Sequence, residues 1–94
     1  MSEAVGRESA QRIDRWLCHA RIVRTRADAA DLVRAGYVRV NGVRVAGVTR
    51  TVHPGDIITV ALDRGPRLLR VLGFAARRGS ADEARGLVED ITKT

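Results

Sequence analysis

At 94 residues, with a formal charge of +6 and a pI near 11.2, the chain has room for one modest core and attracts polyanions. Length excludes a second domain and a large internal cleft, and no apolar run approaches the ~20 residues that span a bilayer. One Trp, one Tyr and one Phe are too few for a base-stacking platform, and a single cysteine permits no intramolecular disulfide.

The charge is uneven along the chain. Residues 12–44 carry +5 and 45–79 carry +4, whereas 1–11 and 80–94 carry −1 and −2. Sixteen of the 17 basic residues are arginine, which suits bidentate phosphate binding, although a GC-rich genome produces the same bias. Nucleic acid is the first partner class this implies, and an anionic membrane surface the second.

Residues 1–11 have no sustained period and are expected to form a mobile leader, with Ser9 as a helix cap. Ile13, Trp16, Leu17 and Ala20 then recur at i, i+3, i+4 and i+7, the stripe of a helix packed on a core. Arg12, Arg15 and His19 fall on an adjoining stripe, so one helix is anchored by one side and presents cations along another. A basic linker adds Arg21 and Arg24. Thr25, with Asp28 three residues on, marks the start of a second helix over 26–35, whose first turn offers backbone N–H groups beside Arg26. Asp14 is expected to organise these cations, orienting Arg21 or tying the first helix to the linker.

Gly36 is placed to end the second helix in the left-handed region. Asn41-Gly42, between Tyr37–Val40 and Val43–Val45, is the signal of a type I′ hairpin. If Val38 and Val40 point inward, Arg39 projects from the other face; Arg44 extends that basic surface or is a solvated sheet residue. After an irregular stretch over 48–52, His53–Asp56 turns into a strand Ile57–Leu62, and a further turn leads to a last strand, Arg67–Phe74. Ser80 and Glu83 form a capping box for a helix from Ser80 to about Ile91, weakened at Gly86 by about 1 kcal/mol.

The residues Arg12-Ile13-Asp14-Arg15-Trp16-Leu17, then Arg21, Thr25-Arg26, Ala30, Gly36, Val38 and Asn41-Gly42, resemble the S4 RNA-binding domain in order and spacing. Within that superfamily they look most like the ribosome-associated fifteen-kilodalton heat-shock proteins and their short relatives. The resemblance implies an α+β protein with the S4 (alpha-L) fold, two helices packed on a small antiparallel sheet, followed by the short C-terminal helix. Residues 12–79 would be the RNA-binding domain, 1–11 the leader and 80–94 the C-terminal helix and tail. It also implies structured rRNA as the partner, on the large ribosomal subunit, with the tRNA of a stalled nascent chain. Longer relatives continue into a basic tail where this chain stops at Thr94, which leaves the helix pair and hairpin to supply the affinity.

The expected RNA-binding residues are Arg12, Arg15, Arg21, Arg24, Thr25, Arg26 and Arg39. Charge reversal at Arg26 is expected to weaken RNA binding with thermal stability nearly intact. Cys18, His19 and His53 lack the paired spacing of a zinc site, His19 being read as an exposed structural histidine, and the carboxylates form no acid/base pair. Neither cofactor nor catalysis is expected, and the protein is read as a cytoplasmic monomer. Alternatives are an rRNA-maturation or tRNA-binding adaptor, an RNA-targeting accessory of a modifying enzyme, and a DNA-binding regulator using the two helices.

Overall fold

The computed structural model describes residues 9–92. Most of the expected leader, residues 1–8, lies outside that range. Its last residue does not: Gln11 is 3% exposed and forms, with Arg12, a two-residue strand β1 (Gln11–Arg12) paired antiparallel with β4 (Thr51–Val52). Ser9 is exposed and caps nothing, because helix α1 (Ile13–His19) begins only after Arg12, which has extended backbone and gives no side-chain cap. The Asp14 carboxylate fills that role from inside the first turn by accepting the Arg15 N–H at 2.9 Å.

Helix α1 ends in a Schellman motif built on a non-glycine residue. Arg21 has φ +63, its N–H donates to the Cys18 carbonyl, and the Ile22 N–H donates to Leu17. Helix α2 (Arg26–Arg34) starts where Thr25 caps it, Oγ1 accepting the Asp28 N–H at 3.0 Å. Gly36, at φ +83, ends it as expected.

The chain then enters a five-stranded antiparallel sheet of order β3-β2-β5-β6-β7, formed by β2 (Val38–Val40), β3 (Val43–Arg44), β5 (Ile57–Leu62), β6 (Gly65–Val71) and β7 (Val88–Asp90). Asn41 and Gly42 have φ +50 and +83, the pair of positive angles of a type I′ turn. Asn41 also pins β2 to β5: its side chain accepts the Ile57 N–H at 2.9 Å and donates to Asp56 at 3.1 Å. Alternation puts Val38, Val40, Ile58, Val60, Leu69 and Val71 on one face, where they meet Ile13, Trp16, Leu17 and Val33 of the helices in one buried cluster. Trp16 is fully buried in it, with its indole N–H donating to the Gly73 carbonyl at 3.2 Å.

The C-terminal segment departs from expectation. Its capping box is present, but α3 (Ala81–Arg85) stops at Gly86, and the chain returns as edge strand β7. Leu87 is buried and its carbonyl accepts the Leu72 N–H, so ladder pairing along β6 replaces two further helical turns. Strand β6 likewise begins two residues earlier than expected and ends at Val71. The acidic residues of β7 face arginines of β6, Asp90 pairing with Arg67 and Glu89 with Arg70. None of the described helices is long and apolar enough to cross a membrane.

Candidate nucleic-acid interface

The basic surface is organised from α1. Asp14 is 4% exposed and holds two guanidinium groups. Arg12 approaches its carboxylate with both Nε and Nη2, at 3.1 and 3.0 Å, and Arg26, the first residue of α2, reaches Oδ2 at 3.3 Å. The acid therefore sets the spacing between cations of two different elements, with the Arg12 and Arg26 side chains still 40% and 49% exposed. Arg21 is not its partner. Helix α1 ends before Arg21, and the left-handed turn sends that side chain elsewhere.

It goes to the 75–79 loop between β6 and α3. Arg21 Nε donates to the Gly79 carbonyl at 3.0 Å and Arg15 Nη2 to Ala76 at 3.3 Å. Two buried side chains complete the latch on one carbonyl, Gln11 Nε2 and His19 Nδ1 lying 2.9 and 3.0 Å from the Ala75 oxygen. His19 is thus a buried fastening, 7% exposed, rather than the exposed histidine expected. Arg77 and Arg78, exposed at the centre of this loop, are set beside α1. They are not among the residues expected from the sequence. The only local signal was the Arg-Arg-Gly step, because the latch comes from residues some 60 positions away.

The remaining expected residues separate. Thr25 spends its side-chain oxygen on the α2 cap. Arg39 extends from the sheet face opposite the helices, directly across the ladder from Arg44, with only a 3.5 Å contact to the Gly42 carbonyl. Arg24 lines a groove with Asp28 and Asp31. Arg12, Arg15, Arg21 and Arg26 thus form the connected part of the site, and Arg77 and Arg78 extend it. Among the described residues no cluster of three metal-ligating side chains exists.

Residues 11–58 match the S4 domain model. The chain belongs to the S4 domain family. All seven expected RNA-binding residues fall inside the matched segment, whereas Arg77 and Arg78 lie beyond it. The chain is similar to two proteins named heat shock protein 15 homolog. It is 37% identical to that of Aeromonas salmonicida over 84% of this chain and 59% of the relative, and 28% identical to that of Haemophilus influenzae over 88% and 63%. It therefore spans about six-tenths of the length of these relatives. The S4 fold is shared with a trimeric structure of Vibrio cholerae heat shock protein 15, at TM-score 0.79 and 31% identity over 86% of this chain and 81% of that one. A solution structure of a protein called HP1423 matches at TM-score 0.71 and 26% identity, over 89% of this chain and all of that one. Both the S4 resemblance and the α+β fold read from the sequence are thereby established.

Proposed function

We propose that the protein binds structured rRNA, without catalysis, through the surface built on α1, α2 and the 75–79 loop, and that its target is the large ribosomal subunit holding a stalled nascent chain on tRNA. The observation that carries this reading is the buried Asp14 holding Arg12 and Arg26 in a fixed relation, with Arg15 and Arg21 latched to the loop that presents Arg77 and Arg78. Guanidinium groups spaced by a rigid scaffold suit the phosphates and 2′-hydroxyls of a folded RNA, which is recognised by shape. Side-chain entropy is already lost in these hydrogen bonds, so docking costs less. Membership of the S4 RNA-binding family and likeness to heat shock protein 15 support the same direction.

In this reading Arg24 and Arg39 lie at the margins of the contact, and one monomer is sufficient for binding. The test is sedimentation of native ribosomes with the tagged protein. It is expected to travel with large subunits that retain peptidyl-tRNA and to leave them when that tRNA is released by puromycin. Equal partition onto empty large subunits removes the stalled-chain assignment. Absence from every ribosomal fraction, or stoichiometry of three protein copies per particle, contradicts the rRNA or the monomer reading respectively.

A further inference from the structure

On the other side of α2 the surface reverses in character. A groove of about 510 Å³ runs between α2 and the end of β5. Its floor is apolar, made chiefly by Leu32, Leu62 and Tyr37, the tyrosine being 53% exposed although most large apolar side chains of the chain are buried. Its rim carries three carboxylates, Asp28, Asp31 and Asp63, against the single guanidinium of Arg24. Asp31 has a loose contact at 3.8 Å to the exposed Arg34, and Asp28 and Asp63 have no ion-pair partner among the described residues. In a chain of net charge +6, this is a local excess of negative charge around an open apolar trough.

We propose that this groove docks a basic peptide segment of a partner protein, an apolar side chain resting on Leu32, Tyr37 and Leu62 while lysine or arginine side chains meet Asp28, Asp31 and Asp63. Charge complementarity selects the occupant. A nucleic acid strand would bring phosphates against three carboxylates, and an uncharged apolar ligand would leave them unanswered. Extended peptides with alternating anchors fit a shallow trough whose walls are a helix face and a strand end. The proposal is independent of RNA binding, since the probe and variants below involve neither RNA nor the arginines of α1.

The experiment titrates the full-length ¹⁵N-labelled protein with the blocked peptide Lys-Lys-Leu-Lys-Lys-Leu-Lys-Lys and follows amide shifts. Saturable shifts are expected at Leu32, Tyr37 and Leu62, with Arg12, Arg15 and Arg77 unmoved. Asp28→Asn/Asp63→Asn is expected to weaken this peptide at least tenfold while keeping the native amide spectrum. Replacing the leucines of the peptide by glycine, or its lysines by glutamate, is expected to abolish saturation. The proposal is overturned if no peptide binds, if the shifts appear elsewhere, or if the asparagine variant binds equally well. Concentration-dependent broadening of the groove signals without peptide would assign the groove to a second copy of the chain and overturn it too.

Discussion

Asp14 is the residue on which the basic surface turns. A carboxylate among arginines lowers the local charge, so simple electrostatics favours its removal. The geometry argues the opposite, because the same carboxylate fixes Arg12 and Arg26 and receives the Arg15 N–H. Asp14→Ala is therefore expected to reduce RNA affinity even though net charge rises by one. Stability should fall by about 1–3 kcal/mol, the partners being half exposed and able to regain water. Thermal denaturation and an RNA titration at one salt concentration check both, and a gain in affinity would sink the positioning role. Arg26→Glu is expected to lower stability as well as binding, since a second carboxylate would face buried Asp14. This differs from the expectation, drawn from sequence, that Arg26 could be reversed with thermal stability nearly intact, and thermal denaturation of Arg26→Glu decides between the two.

Arg21 shows a different compromise. An L-residue at φ +63 costs roughly 1 kcal/mol relative to glycine, and this position at the end of α1 is one where glycine is preferred. In return the side chain reaches the 75–79 loop. Arg21→Gly is expected to leave stability within about 1 kcal/mol, backbone relief offsetting one exposed hydrogen bond, while weakening RNA binding. Equal affinity of the glycine variant would make Arg21 a structural latch only.

Elements differ in how much of them the sequence reveals, and the difference is one of range. Helix α2 was legible because its start and stop lie within a few residues: Thr25 capping Asp28, and Gly36 in the left-handed region. The β2–β3 turn was legible for the same reason, since two adjacent positive φ angles select Asn-Gly. Gly36 carries a second constraint, invisible locally, because a Cβ there would lie 2.6 Å from the Arg44 guanidinium. Gly36→Ala is expected to cost about 1–2 kcal/mol, read from urea denaturation, chiefly from the strained φ, since the exposed Arg44 side chain can swing aside. A neutral result would show that the α2–β2 corner relaxes. What escaped local reading were the elements made by distant partners. The short strand β1 exists because Thr51–Val52 pairs with it, and β7 because β6 has an unpaired edge. Residues 80–91 have helix-compatible spacing, so the competition was decided by the Leu72–Leu87 and β6–β7 ladder rather than by propensity.

On the scale of the whole molecule, folding redistributes the charge that the sequence lists by segment. The positive middle of the chain loses Arg67 and Arg70 to the acid residues of β7, the sheet carries Arg39 away from α1, and Arg24, in the linker before α2, lines the groove on the far side of that helix. What remains together is a smaller, more ordered cationic surface than composition implied, made of α1, the N-terminus of α2 and a loop from the other end of the sequence. The acidic groove beyond α2 gives the molecule a second face of opposite sign. The candidate site was thus legible as a set of arginines on α1 and α2. The 75–79 loop was not, because its position depends on Gln11, Arg15, His19 and Arg21 gripping carbonyl oxygens that sequence pattern cannot place.

The loop arginines and Arg15 of α1 are expected to touch the same RNA, and the salt dependence of binding to large-subunit rRNA decides whether they do. Each lost phosphate contact lowers the slope of log affinity against log salt by roughly one unit. Arg15→Ala is expected to lower it by about one and Arg77→Ala/Arg78→Ala by about two, with melting temperatures of the loop variant unchanged. A wild-type slope in both variants, with affinity intact, would show that neither α1 nor the 75–79 loop contacts the RNA.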